Sequence, residues 1–187
     1  NIVEAYGLAR VYLGDVEVWA VNEVDLIVRR GEIVAILGPA GAGKTTLLNL
    51  IGGYDPPSMG RVIVDGVSVT NIQGNELADF RRERVGHVPQ VVRMIPSLSV
   101  LRNVTLPLLP YARQVDFDVE ARARELLVAL GLGGREGQYP SALADGDLER
   151  AAIARALINH PPLLLLDEPS ASLARDADGA VLNLLSG

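Results

Sequence analysis

The chain has 187 residues, with 17 basic and 23 acidic side chains, a formal net charge of −6 and no cysteine. Disulfides, thiolate metal sites and thiol nucleophiles are thereby excluded, and the acidic balance argues against a general nucleic-acid coat. The length suits one domain or a compact two-lobed one, and 49% hydrophobic residues can build a core without staples.

In chain order, Ile2–Tyr12 and Trp19–Val28 are rich in Val, Ile, Leu and aromatics and read as strands around a Gly14-Asp15 turn. The opening carries no signal-peptide pattern, and a first residue of Asn rather than Met is expected for a piece of a longer product. Glu32–Leu37 is an apolar run bounded by glycines, predicting a buried strand. Lys44–Gly52 reads as a helix stopped by Gly52-Gly53 and Pro56-Pro57. Arg61–Val64 and Val67–Val69 flank Asp65-Gly66, a hairpin signal.

Glu76–Arg84 predicts a charged helix, and Val85–Gln90 a short strand ending at Pro89. The greasiest stretch, Val91–Ala112, is broken by Arg93, Arg102 and three prolines. It therefore falls short of the ~18 apolar residues of a membrane span and predicts short helices and loops. Phe117–Leu130 has helical apolar spacing with Gly131 as its stop, and Leu148–Ile158 predicts another helix before Pro161-Pro162. Leu163–Leu166 predicts a central, parallel strand. The fold class is α/β.

Gly38-Pro39-Ala40-Gly41-Ala42-Gly43-Lys44-Thr45 fits G-x-x-x-x-G-K-[ST] between a predicted strand and a predicted helix. Small residues let backbone N–H groups close around phosphates, and the helix N-terminus adds partial positive charge. Lys44 would place its charge on the outer phosphates during transfer, and Thr45 would offer a hydroxyl to Mg²⁺, with Thr46 beside it. The alternative is a glycine turn with an incidental lysine, but Lys44 is the chain's only lysine. Nucleotide-phosphate binding is the expectation.

Asp167-Glu168 closes the late apolar strand, where ligands bind in open α/β sheets. Asp167 would hold Mg²⁺ and Glu168 would poise or deprotonate a water. Capping of a helix before Pro169 is the plainer alternative. Gln90 closes a second short strand and could reach the same metal; a surface glutamine is its default.

With these pieces in order, the chain resembles the ATP-binding subunits of ABC transporters from Tyr12 to Asp176. The order of phosphate loop, Gln90, Arg150-Ala-Ala-Ile-Ala-Arg-Ala-Leu157 and Asp167-Glu168-Pro169-Ser170 carries the likeness. The lipoprotein-release and macrolide-export branch is suggested by Ala20–Leu26, Gly60–Gly66, Arg81-Arg82 and Asn103–Leu108. The resemblance implies a P-loop NTPase core with an N-terminal antiparallel β subdomain, spanning 1–90 and 161–187. A helical subdomain, roughly 91–160, would be inserted between Gln90 and the late strand and receive a transmembrane permease partner. It also implies Tyr12 stacking on adenine, Gln90 linking Mg²⁺ to that subdomain, and a second ATP-binding subunit, identical or not. ATP and Mg²⁺ are the implied ligands, the cytoplasmic membrane face the implied location, and no nucleic acid is expected. An ordinary strand tyrosine is the alternative for Tyr12.

Three features depart from the family. Its L-S-G-G-Q signature, whose helix start binds the partner's γ-phosphate, is here Leu143-Ala144-Asp145-Gly146-Asp147. Ala144 lacks the hydroxyl and Asp145 brings like charge toward an anion, although Asp145 or Asp147 could instead cap the following helix. Ala174 stands where the family has an aspartate, and no histidine follows Glu168 to serve as its switch residue. His160 and His87 both precede that point and are expected to be structural. The leading expectation is an ATPase powering transport by an exporter or lipoprotein-release system. The alternative is a nucleotide-gated subunit that hydrolyses poorly within an asymmetric pair. A GTPase is excluded, because an N-K-x-D motif needs a second lysine. Repair and translation relatives of the fold usually add domains that this length cannot hold.

Overall fold

Alternating apolar residues at the start of the chain become the middle of a twisted antiparallel sheet. The computed structural model describes residues 1–169. These fall into two compact units, one spanning Asn1–Val85 and the other beginning at Gly86.

In the first unit, β1 (Val3–Tyr12) pairs antiparallel with β2 (Val18–Val28), from Val3 opposite Val28 to Tyr12 opposite Val18. On its other side β1 pairs with β3 (Met59–Val64), which turns into β4 (Val67–Ser68). The strand order is β2-β1-β3-β4. The Asp65-Gly66 turn has φ of 49° and 78°, the double left-handed geometry that this dipeptide accommodates. Arg30 and Arg84 both pair with Asp65 there. Helix α1 (Lys44–Ile51) buries Leu47, Leu50 and Ile51. Val3, Ala5, Leu8, Val62 and Val64 are also buried. Helix α2 (Gly74–Arg84) closes the unit.

One expectation fails here. Residues 33–40 form neither strand nor helix, and Ile33 and Leu37 are 70% and 90% exposed. An apolar run becomes a strand only where a neighbour supplies its backbone partners. In this unit β1 to β4 pair only among themselves.

In the second unit β5 (Val85–Val88) pairs with β6 (Leu163–Leu166) in a two-stranded sheet. The strand expected at the centre of a larger sheet thus has one described neighbour. Between them run α3 (Val100–Thr105), a 3₁₀ turn over Leu106–Tyr111, α4 (Val119–Ala129) and α5 (Asp145–Leu157). Helix α4 starts two residues later than expected because Asp118 caps it, accepting from the Glu120 and Ala121 N–H groups. Leu126, Leu127, Leu132, Ile153 and Ile158 fill a continuous apolar core. Asn103, fully buried, accepts from the Ile95 N–H and donates to the carbonyls of Ile95, Leu98 and Ser99. It thereby fastens the proline-rich stretch to α3. Among the described residues, no helix is long and apolar enough to cross a membrane.

Candidate functional site

The phosphate loop lies entirely in the first unit. Gly43 caps α1 with φ 87°, and an added Cβ would lie 1.9 Å from the Ala20 carbonyl oxygen on β2. No side chain caps α1, and no acidic residue occupies its first turn. The helix therefore presents its N-terminal partial charge without a competing carboxylate. The Lys44 ammonium donates to the carbonyls of Gly38 and Pro39 at 3.1 and 3.0 Å. The loop is thus folded back on its own lysine, with the charge at its centre.

Tyr12, at the end of β1, is 41% exposed, and its hydroxyl donates to Asp55 at 2.6 Å. Arg10 covers one ring face, its guanidinium carbon 4.8 Å from the centroid.

The strand-end residues lie in the second unit. Asp167 is buried, and its N–H donates to the Val88 carbonyl at 3.0 Å, which fixes the ends of β5 and β6 side by side. That pairing brings Gln90 to Glu168, where the carboxamide donates to the carboxylate at 2.6 Å. Glu168 has φ 48°, an uncommon conformation for a residue with a side chain. Nearby, burial holds the His87 imidazole below its ordinary pKa, against the opposing field of Asp167.

At α5 the helix begins at Asp145, three residues before the apolar spacing predicted. Ala144 is the cap residue, and no side chain caps the helix. Asp145 and Asp147 thus lie inside the first turn rather than at the cap position, where their charges face the helix N-terminus. Asp147 is buried and paired with Arg135 and Arg150.

The family model for "ABC transporter" matches residues 21–171. The chain belongs to the ABC transporter family. It is 40% identical over all its 187 residues to the lipoprotein-releasing system ATP-binding protein LolD of Chromohalobacter salexigens, covering 78% of that protein. It is 39% identical to the macrolide export ATP-binding/permease protein MacB of Rhodopseudomonas palustris, over 99% of this chain and 28% of that one. Among solved structures, a dimeric ATP-binding cassette in a post-hydrolysis state bound to ADP and Pi superposes with a TM-score of 0.84. The two are 34% identical, over 98% of this chain and 79% of that one. The chain is therefore an ABC-type ATPase domain of the lipoprotein-release and macrolide-export branch, with a P-loop NTPase fold.

Among the family's motifs, the structure joins Gln90 to Glu168 and sets Asp167 beside them. It gathers Gly38 to Thr45 around α1, with Thr46 in the first turn. The expectation for Ala174, and the region after it where a switch histidine was sought, lie outside the described residues. Sequence reasoning missed Asp55, Arg10 and Arg135. Arg10 could have been found from its position two residues before Tyr12 on one strand. Asp55 and Arg135 sit in loops, with no local signal for their partners.

Proposed function

We propose that this ATP-binding subunit of a membrane ABC transporter binds Mg²⁺-ATP and hydrolyses it to drive a lipoprotein-release or export-type permease. The observation carrying this is the Gly43–Lys44 geometry: a glycine whose added Cβ would crowd the Ala20 carbonyl oxygen, opening a helix free of acidic residues, with the lysine held over the loop. Backbone N–H groups of residues 41–46 would bind the phosphates, and Lys44 would counter charge on the outer ones. Tyr12 would stack on adenine.

By the family resemblance, Thr45, Gln90 and Asp167 would supply the oxygen ligands of Mg²⁺, with one carboxylate among them. When bound, that ion would neutralise charge between the outer phosphates. Glu168 would orient or accept a proton from the attacking water, and Gln90, hydrogen-bonded to it, would hold the carboxylate in position. Segment 91–160 would receive the permease, with the subunit peripheral on the cytoplasmic membrane face and a second cassette closing over the nucleotide.

A second reading is favoured by α5. With Asp145 and Asp147 in its first turn, this chain would complete a partner's site poorly. It would then be the degenerate half of an asymmetric pair. Mg²⁺-dependent ATP turnover tests the primary reading. The parent should hydrolyse ATP when supplied with a cassette bearing an intact signature. Lys44→Ala should lose binding and turnover, and Glu168→Gln should lose about a hundredfold or more in turnover while still binding. Turnover that survives both substitutions would contradict it.

A further inference from the structure

The aromatic platform is not a lone side chain on a strand. Both oxygens of the Asp55 carboxylate are engaged: one accepts from the Tyr12 hydroxyl at 2.6 Å, the other pairs with Arg10 at 2.7 Å. Arg10 in turn lies over the Tyr12 ring. The three side chains form a closed triangle, with Arg10 and Asp55 about one-fifth exposed.

The triangle is tied to the phosphate helix. The N–H groups of Tyr54 and Asp55 donate to the carbonyl of Asn49, in the last turn of α1, at 2.8 and 3.3 Å. Ser58 fastens the same loop to β1, its N–H donating to the Ala9 carbonyl and its hydroxyl accepting from the Val11 N–H. At its other end α1 meets β2, through Gly43 against the Ala20 carbonyl. One short helix, about 12 Å long at 1.5 Å per residue, thus approaches β2 closely at its start and is hydrogen-bonded at its end to the loop fastened to β1.

We infer that Asp55, with Arg10, is the positioning residue for Tyr12, setting the ring at a fixed reach from the phosphate loop so that it meets the base of a bound nucleoside triphosphate. Arg10 covers one ring face, which leaves the opposite face for the base. A tyrosine already held in place loses less freedom when the base stacks, so pre-organisation adds to affinity. The inference rests on the proposed stacking role of Tyr12 and goes beyond it by naming what aims the ring.

Calorimetric titration of the full chain with Mg²⁺-ATP and with Mg²⁺-tripolyphosphate, which has no base, tests it. Tyr12→Ala should weaken ATP about tenfold, the usual scale of aromatic–base stacking, and leave tripolyphosphate unchanged. Asp55→Ala should weaken ATP about threefold to tenfold with tripolyphosphate again unchanged, and should add nothing in the Tyr12→Ala background. Asp55→Asn keeps an acceptor for the hydroxyl and should recover most of the loss. Should Asp55→Ala fail to fold, Tyr12→Phe removes only the hydroxyl and should reproduce the effect. Normal ATP affinity in Asp55→Ala alongside a defective Tyr12→Ala would overturn the positioning role and leave stacking intact. So would losses that add, or an equal loss on tripolyphosphate. Normal affinity in Tyr12→Ala would overturn both.

Discussion

Two helix N-termini in this chain start from the same backbone physics and end with opposite chemistry. Each carries the partial positive charge of a helix start. Helix α1 opens on Gly43 and a lysine, with no acidic residue in its first turn, whereas α5 opens on Ala144 followed by Asp145 and Asp147. On the proposed function, the first would accept an anion from outside. The second already carries its own anions, one of them held by Arg135 and Arg150. On the proposed function, the contrast would separate the nucleotide this subunit binds from the one it would help a partner hydrolyse.

The sharpest way to break the first half of this contrast is Gly43→Ala. The new methyl meets the Ala20 carbonyl oxygen at a backbone φ of 87°, and strain of about 1–3 kcal/mol should weaken ATP binding about tenfold to hundredfold. Calorimetry of ATP binding by the folded variant checks this. In the second half, Asp147→Asn leaves two guanidinium groups without their carboxylate. Denaturant unfolding should show a loss of about 1–2 kcal/mol, since Asp147 is buried but Arg135 is 42% exposed and partly screened. Asp145→Gly removes a like charge from the α5 terminus and should raise turnover of the self-paired chain about threefold to tenfold, on the scale of one helix-terminus charge. A steady-state ATPase assay reads this directly.

The smallest effect concerns pH. Burial lowers the His87 pKa in the folded state, so the unfolded chain takes up that proton first as pH falls. Stability should therefore decline below about pH 6.5, the ordinary histidine value, until folded His87 itself titrates. Thermal melting between pH 7.5 and 5.5 (~2 units) should show a shallower slope in His87→Gln than in the parent.

How much of this was legible in the sequence follows from how local each signal is. The phosphate loop is contiguous, so its glycines, lysine and helix were readable together, as was the Asp65-Gly66 hairpin. Residues 33–37 were misread because apolar character predicts burial, while strand formation depends on partners that no local pattern reveals. The start of α5 was placed late because the polar first turn, Asp145-Gly146-Asp147, carries no apolar periodicity. Gln90 and Asp167, each closing a short strand, are expected to reach one metal, with Glu168 acting on a water beside it; the Gln90–Glu168 hydrogen bond across 78 residues of chain comes from β5–β6 pairing. Asp147 was weighed as a cap because position suggested it. Its actual partners, Arg135 in a loop and Arg150 one helical turn on, became visible only in three dimensions.

On the proposed function, this chain's phosphate loop would be competent and its signature end would not. A mixing experiment tests it most directly. A second copy would carry Lys44→Ala, to silence its own loop, together with Ala144→Ser, Asp145→Gly and Asp147→Gln, to restore its signature. The account predicts that neither protein alone turns over Mg²⁺-ATP appreciably, while the mixture does. Equal turnover by the parent alone and by the mixture would contradict it.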